Sequence, residues 1–354
     1  MQQPPLDALQ IPAFDPAPIF ELARGNFATE LLAAAVHHFK LFEHLRENPH
    51  QFNTLRRKMG LAERPAAVLI TALKAMGLIY KDDEARLALT PVAREHLGGG
   101  PFDVADYIGL GAESPGVLEM VSRLKSNKPA NVEREAGAAF IYRAGIESAM
   151  EHEQAARALT LALAGRSKNI APVLAANVNL DAAKLLLDVG GGTGIYSIAL
   201  LQKNPHLRAI VWDRPEVLKV TAEFAAAYGV SERLECRAGD MFTDAIPEGA
   251  DVVLLSNILH DWDVPECRQL VQRCASALPP GGRLLIHDAL LNDDQDGPLP
   301  VALYSAALYS LTEGRAYSRA EYAIWLTEAG LTFSEPVPTL IHCSVMTGTK
   351  SNDE

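Results

Sequence analysis

The segment from Asp188 to Gly194 constrains the fold of this 354-residue chain more than any other. It has the sequence Asp-Val-Gly-Gly-Gly-Thr-Gly and directly follows the apolar run Leu185 to Leu187. Glycines at alternate positions allow a sharp turn and let bare backbone N–H groups approach a ligand closely. The dinucleotide fingerprint G-x-G-x-x-G needs a glycine at position 195, where this chain has Ile195. The pattern acid-x-G-x-G-x-G predicts a strand, a turn and a helix, either as a cofactor loop of another type or as a plain tight connection.

Strand-like and helix-like patterns alternate after residue 175, which is typical of a parallel sheet with helices on both faces. The patterns predict strands at 185–189, 208–212, 234–238, 251–256 and 283–287. They predict helices at 195–203, 215–228, 265–278 and 318–329, and Pro279-Pro280-Gly281-Gly282 ends the third of these firmly. Ligands of such sheets bind outside the carboxyl ends of the strands. We therefore predict an α/β, Rossmann-like domain over residues 175–354.

The region before residue 175 has a mainly helical pattern. Residues 20–45 carry an apolar stripe at helical spacing, formed by Leu31, Leu32, Ala35, Val36, Phe39, Phe42 and Leu45. A predicted helix at 65–76 and a short hairpin at 78–90 follow, and together these elements resemble a winged-helix unit. We predict a dimerisation domain of this type at 1–100 and a helical region at 101–174 that covers the bound ligand. The stripe predicts a homodimer, and the alternative is that it packs within its own chain.

Composition and charge argue against several classes of function. The formal net charge is -12, and Arg56-Arg57-Lys58 is the only local basic run in a position to contact DNA, which argues against a nucleic-acid partner. The four cysteines form no C-x-x-C pair, so they indicate neither a zinc site nor a disulfide framework. No stretch is apolar for long enough to span a bilayer, and no signal-peptide pattern is present. We predict a cytoplasmic protein with no metal, nucleic-acid or membrane partner.

Two of the three further strand ends carry side chains suited to a ribose and an adenine ring. Asp213 follows the second strand, and 213 - 190 = 23 residues separate it from Gly190, about the interval expected for a carboxylate that binds ribose hydroxyls. Its alternative role is a helix N-cap before Pro215. The third strand ends at residues 239–242, Gly-Asp-Met-Phe, which offer an acid for an amine and apolar side chains for a ring, or else a turn followed by core residues. The fourth ends at residues 256–262, Ser-Asn-Ile-Leu-His-Asp-Trp.

Four motifs, in this order and at these intervals, resemble the small-molecule O-methyltransferases typified by plant caffeate and flavonoid enzymes, hydroxyindole O-methyltransferase and bacterial antibiotic-tailoring enzymes. They lie at 188–192, at 239–242, at 260–262 (His-Asp-Trp) and at 280–282 (Pro-Gly-Gly). The resemblance covers nearly the whole chain. It implies S-adenosyl-L-methionine (SAM) as cofactor, S-adenosyl-L-homocysteine (SAH) as product, a small-molecule acceptor and a homodimer. The cofactor contacts that it implies are Gly190, Gly192, Asp213, Asp240, Met241, Ser256 and Trp262.

The resemblance also implies that His260 is the general base. The family has a carboxylate 28 residues after this histidine, and 288 - 260 = 28 identifies Asp288. Many members have Glu there, and because Asp is one methylene shorter we expect a longer or water-bridged contact. Plant members carry a second flanking Glu, whose position is occupied here by Ala316, so either one carboxylate suffices or the catalytic arrangement differs. The alternative role of His260 is a polar cap beside Asp261.

The chemistry of methyl transfer explains why such residues are needed. SAM is an activated methyl donor, so the enzyme must align an acceptor oxygen, which contributes on the order of 7 to 11 kcal/mol, and remove its proton. A phenol titrates at about 10 and a histidine at about 6.5, so His260 can accept the proton as transfer develops. Two other classes stay open: a SAM-fold enzyme that performs C-methylation, hydroxylation or decarboxylation, and a non-catalytic SAM-binding or DNA-binding regulator.

Aromatic and thioether side chains predict where the acceptor binds. The candidates are Phe140, Tyr142, Met150, Tyr304 and Tyr309. They suit a flat, largely apolar acceptor, and they could equally belong to the hydrophobic core.

Overall fold

The computed structural model describes residues 4–128, 141 and 152–352, which form two compact units. One unit takes its described residues from Met1–Pro18, Gly137–Leu290 and Arg319–Glu354 and is called the sheet unit here. The other takes them from Ile19–Ala136 and Leu291–Ser318 and is called the helical unit. Neither unit is continuous in sequence, so neither coincides with the regions 1–100, 101–174 and 175–354 that the sequence suggests.

The order of elements agrees with the predicted change from helices to alternating strands and helices. The helices are α1 (Ala17–Ala23), α2 (Asn26–Ala33), α3 (Leu41–Glu47), α4 (Phe52–Lys58), α5 (Glu63–Ala75), α6 (Pro91–His96), α7 (Ala105–Gly109), α8 (Pro115–Ser126), α9 (Glu153–Asn177), α10 (Ile195–Lys203), α11 (Pro215–Ala227), α12 (Val264–Ala277), α13 (Leu299–Leu311) and α14 (Arg319–Glu328). The strands are β1 (Ile79–Lys81), β2 (Leu87–Leu89), β3 (Leu185–Val189), β4 (Arg208–Asp213), β5 (Leu234–Ala238), β6 (Val252–Ser256), β7 (Arg283–Leu291), β8 (Tyr317–Ser318), β9 (Leu331–Phe333), β10 (Val337–Pro338) and β11 (Cys343–Lys350).

The helical unit buries the apolar stripe that the sequence assigned to a dimer interface. Leu31, Ala35, Phe39, Phe42 and Leu45 are all buried within the chain's own core, together with side chains of α5 and α8. Helix α13 packs against α5 and adds Ala306 and Tyr309 to the same core. The alternative reading of the stripe is therefore the one that the structure supports, and the stripe no longer argues for a dimer.

The long helical pattern over residues 20–45 is divided into separate helices. A π-helical turn at Ala34–His38 follows α2 directly. Lys40 then has φ of 50°, a left-handed conformation that ends the turn before α3 begins. The hairpin was predicted correctly, because β1 and β2 pair antiparallel with Ile79 opposite Leu89.

The sheet unit contains a mixed sheet with the strand order β10-β11-β7-β6-β3-β4-β5. The sequence predicted five strands in this unit, and all five are present as β3 to β7 and pair parallel with their neighbours in that set. The sheet is not entirely parallel, however, because β11 pairs antiparallel with β7, and β9 and β10 pair antiparallel with β11. These late strands were missed.

The order of the strands determines where a ligand can bind. The chain runs from β3 to β4 and β5 on one side and returns on the other side of β3 as β6. This reversal creates a crevice at the carboxyl ends of β3 and β6, the usual ligand position in sheets of this type. All five residues of β6 are buried, as expected for a strand covered on both faces. In the described part of the chain, no helix combines the length and apolar character that a bilayer crossing requires.

Candidate active site

The glycine turn after β3 has the close approaches and left-handed conformations that the motif predicted. Gly190 has φ of 65°, and a Cβ atom built on it would lie 2.6 Å from the Ile258 Cδ1 atom. Gly194 has φ of 71° and precedes the first residue of α10. A side chain at these positions would be strained or would displace a neighbour, so the turn depends on glycine. Its backbone N–H groups lie at the carboxyl edge of the sheet, beside the start of a helix.

Asp213 is one of two carboxylates next to this turn. Asp213, at the end of β4, accepts the Gly192 N–H at 2.8 Å and the Arg214 N–H at 2.7 Å. No side chain caps α11, so the helix-cap alternative for Asp213 is wrong. Burial raises the pKa of Asp213, although hydrogen bonds from Gly192 and Arg214 oppose that effect. The carboxylate thus links the glycine turn to the end of β4.

Asp188, the first residue of the glycine motif, has no individual role among the sequence predictions and is buried beside the glycine turn. The Ser197 hydroxyl donates to its Oδ2 atom at 2.7 Å, whereas its buried Oδ1 atom has no hydrogen-bond partner among the described residues. Burial raises the pKa of Asp188 to about 7, with the charge of Asp213 adding to the effect and the Ser197 hydrogen bond opposing it. A buried acceptor atom without a donor suits a ligand that brings a cationic or N–H group to the turn.

The third strand end combines an acid with aromatic rings. Asp240 accepts the Phe242 N–H at 2.8 Å and forms an ion pair with Arg214 at 3.0 Å. The rings of Phe242 and Trp262 meet edge to face, with centroids 4.9 Å apart. Met241, which lies between Asp240 and Phe242 in sequence, is half-buried. The predicted adenine contacts therefore supply an acceptor and apolar surface, as an adenine ring requires.

His260 and Asp288 form a direct hydrogen bond. Their atoms Nδ1 and Oδ1 are 2.6 Å apart, and both side chains are buried. The expectation of a longer or water-bridged contact was wrong. His260 lies in the short 3₁₀ turn Leu259–Asp261 after β6, and Asp288 lies in β7 one residue beyond the last pair of β6 with β7, Ser256 with His287. Asp288 Oδ1 also accepts the Ala289 N–H at 2.8 Å, and its Oδ2 atom accepts the Tyr322 hydroxyl at 3.1 Å.

Electrostatics favour an ionised Asp288 beside a basic His260. Burial by itself lowers the pKa of His260, but the charges of Asp288 and Asp261 outweigh burial and raise it above the usual value. Burial acts to raise the pKa of Asp288, and the His260 ring lowers it overall. Asp261 lies 3.7 Å from His260 Nε2, and burial raises its pKa to about 6. Asp288 and Asp261 therefore both lie beside the imidazole.

A buried polar network at the end of β6 surrounds the predicted contact Ser256. The Ser256 hydroxyl lies 2.8 Å from His287 Nδ1, and Asn257 lies beside it with φ of 56°. Arg166 on α9 donates to Asn257 Oδ1 at 2.7 Å and to Cys343 Sγ at 2.9 Å. Burial and the charge of Arg166 lower the pKa of His287 to about 3, so His287 stays neutral. The sequence missed Arg166 and Asn257, since neither belongs to a motif and α9 and β6 are distant in the chain.

The residues predicted to line the acceptor pocket have different outcomes. Phe140, Tyr142 and Met150 lie outside the described residues. Tyr304 is half-buried, with the Arg24 guanidinium 4.0 Å from its ring centroid. Tyr309 belongs to the core of the helical unit and donates its hydroxyl to the Arg123 carbonyl at 2.6 Å. This environment favours a structural role for Tyr309.

Among the described residues there is no candidate metal site and no disulfide. No group of three or more His, Cys, Asp or Glu side chains there could hold a metal ion. All four cysteines are free thiols, and only Cys236 is exposed.

Comparisons with known proteins agree with this geometry. A family profile described as an O-methyltransferase domain matches residues 124–332. A 3-hydroxy-5-methyl-1-naphthoate 3-O-methyltransferase from Streptomyces sahachiroi is 35% identical over 89% of this chain and 89% of its own length. An L-tyrosine C(3)-methyltransferase from Streptomyces lavendulae is 31% identical over 86% of this chain and 84% of its own length.

A solved structure is similar over nearly the whole chain. The crystal structure of an O-methyltransferase family 2 protein from Planctomyces limnophilus DSM 3776, in complex with apigenin, is 47% identical and superposes with a TM-score of 0.88. The match covers 98% of this chain and 100% of that one. Together with the glycine turn, the strand-end acids and the buried histidine, these matches show that the chain belongs to the O-methyltransferase family and is a SAM-dependent methyltransferase.

Proposed function

We propose that this enzyme methylates a phenolic hydroxyl of a flat aromatic acceptor and that His260 is the general base. The observation that carries the proposal is the 2.6 Å contact between His260 Nδ1 and Asp288 Oδ1. An ionised carboxylate can only accept, so it holds the proton on Nδ1 and leaves the lone pair on Nε2. Asp288 then stabilises the imidazolium that forms when Nε2 takes the phenolic proton.

The cofactor site proposed here uses the residues at the four strand ends. Gly190 and Gly192 leave the turn without side chains, so that its backbone can lie against the cofactor, and Asp213 accepts from the ribose hydroxyls. Asp240, Met241 and Trp262 contact the adenine, and Ser256 lies near the reacting end. SAM, when bound, supplies the methyl group on a sulfonium, so the protein needs to align the acceptor oxygen and exclude water rather than activate the donor. The unpartnered Asp188 Oδ1 atom supports this fit, because the amino-acid part of SAM carries an ammonium group.

The class of acceptor is inferred from the similar proteins. One acts on a hydroxynaphthoate and another was crystallised with apigenin, and both compounds are planar phenols. We therefore choose apigenin as the first acceptor to test.

The test is methyl transfer to apigenin by the parent and by His260→Gln, followed by mass spectrometry. His260→Gln should lower turnover by a factor of roughly 10² to 10⁴ and leave SAH affinity nearly intact, since the base does not hold the cofactor. Raising the pH should partly restore the variant, because solution then supplies the phenolate. If the variant turns over at the parental rate while chemistry is rate-limiting, His260 is not the base.

A second candidate function is C-methylation of an aromatic ring. It is favoured by the 31% identity to a relative that methylates C(3) of L-tyrosine. The same His260 could deprotonate a phenol, so that the ring carbon takes the methyl group from SAM with release of SAH and then loses its own proton to restore the aromatic ring. Carbon-13 NMR of the product made with labelled SAM distinguishes the two, because an O-methyl carbon resonates well downfield of an aryl C-methyl carbon.

We further propose that the enzyme works as a homodimer in the cytoplasm. Leu22, Tyr107 and Leu110 of the helical unit are large apolar side chains that are at least 75% exposed, so a second copy has apolar surface to cover. Free thiols throughout fit a reducing compartment.

A further inference from the structure

We propose that Tyr322 is a positioning residue for methyl transfer, because its hydroxyl holds Asp288 as the anion that orients His260. The inference rests on the proposed role of His260 as the base. Tyr322 lies in α14, 34 residues beyond Asp288, and belongs to none of the motifs that identified the site.

The Asp288 carboxylate has a donor on each oxygen. Oδ1 accepts from His260 and from the Ala289 N–H, whereas Oδ2 accepts from the Tyr322 hydroxyl at 3.1 Å. A carboxylate removed from water is stable as an anion only when such donors replace its hydration. Tyr322 therefore supplies the hydrogen bond that the outer oxygen would otherwise lack.

Packing fixes the position of this hydroxyl. Tyr322 is completely buried, and its ring meets the Trp325 ring edge to face, with centroids 5.3 Å apart. Both residues lie on α14, which packs against α12 in the same unit. The donor is therefore set in place before any acceptor binds, and Asp288 cannot turn Oδ1 away from His260 without losing two partners.

The charged groups that act on His260 are Asp288, Asp261 and Arg166 on α9, and the Tyr322 hydroxyl acts through the first of them. It sets how strongly Asp288 attracts the imidazole proton. A donor on Oδ2 spreads the negative charge over both oxygens and makes the carboxylate less basic. Without it, the buried anion would be less stable and would bind the imidazolium more strongly. His260 would then remain protonated to a higher pH and could not accept the phenolic proton.

The test uses Tyr322→Phe, which removes only the hydroxyl. The pKa of His260 is measured by NMR of the full-length, SAH-bound enzyme labelled with nitrogen-15 in its histidines, and the signal is assigned by its loss in His260→Gln. We expect the pKa of His260 to rise by about half to one unit in Tyr322→Phe. Methylation of apigenin should fall on the acid side of the pH profile by roughly 3- to 10-fold and return to the parental level on the alkaline side.

Tyr228→Phe is the matched control, since Tyr228 is a largely buried tyrosine at the end of α11 in the same unit. It should leave both the His260 titration and the pH profile unchanged. A pKa of His260 that is unchanged or lower in Tyr322→Phe overturns the proposal, as does an equal loss of activity at every pH. If His260→Gln keeps its activity while Tyr322→Phe shifts the His260 titration, the role of His260 as base fails but the contact between Tyr322 and Asp288 stands.

Discussion

Asp288 carries the charge on which the proposed base depends, and Asp288→Asn removes that charge at almost constant shape. The Asn side-chain oxygen can still accept from His260 Nδ1, and the pair is 4% and 1% exposed, so water cannot replace the lost charge. A hydrogen bond to a charged group contributes about 1.5 to 3 kcal/mol, against about 0.5 to 1.5 kcal/mol for a neutral one. The loss of about 1 to 2 kcal/mol of imidazolium stabilisation corresponds to roughly a 5- to 30-fold fall in turnover.

The same substitution moves the pH profile in a defined direction. The charge of Asp288 raises the pKa of His260, so Asp288→Asn should lower that pKa and shift the acid limb of turnover to lower pH. The assay is single-turnover methylation of apigenin from about pH 5 to 9, with SAH calorimetry as the control for folding. The shift is opposite to that expected for Tyr322→Phe, which leaves the charge in place. Unchanged turnover and an unmoved acid limb in Asp288→Asn would refute this account.

Three further predictions concern the cofactor, stability and assembly. Asp213→Ala should weaken SAH binding by about 1 to 3 kcal/mol in calorimetry, since ribose hydroxyls would lose an acceptor, whereas equal affinity would remove Asp213 from the site. Burial raises the pKa of Asp188 to about 7 from an unfolded value of 3.8. The folded enzyme therefore binds the carboxyl proton of Asp188 more tightly than the unfolded chain does. The free energy of unfolding without SAM should fall as the pH rises between these two values. Asp188→Asn should reduce that fall in urea unfolding, and an identical pH dependence in both proteins would contradict the assignment. Leu110→Asp should produce monomers in light scattering if the exposed apolar residues form the dimer interface, and a variant that stays dimeric would place the interface elsewhere.

The sequence predicted the central sheet well because each of its strands has a strong local signal. β3 and β6 are short apolar runs that end in glycine or polar residues, and both were placed within a residue of their observed bounds. β9 to β11 were missed because their stability depends on pairing: Cys343–Lys350 carries only a mixed pattern and is held by antiparallel contact with β7. Pairing partners that are distant in the chain cannot be read from local periodicity.

In the helical unit the sequence revealed an apolar surface but not the segment that packs against it. The stripe from Leu31 to Leu45 was identified correctly as apolar surface that must be covered, yet it is divided over α2, a π-helical turn and α3, and its partner was not identified. It packs into a core that includes Ala306 and Tyr309, from a segment more than 250 residues further along the chain. An amphipathic pattern establishes that a face is covered, but not by which part of the protein.

The candidate active-site residues fall into two groups, those at strand ends and those brought in by helix packing. Those that occupy strand ends, such as Asp213 and His260, could be predicted because the fold itself brings strand ends together. Tyr322 could not, because a helix that follows the last parallel strand contributes it, and only the packing of its ring brings its hydroxyl to Asp288. Asp288 makes all of these contacts with its short side chain. A shorter acid stays next to the β7 backbone, where the Ala289 N–H and the Tyr322 hydroxyl both reach it, and it still contacts His260 directly. The orientation of the proposed base thus depends on α14 as much as on the motif that revealed it.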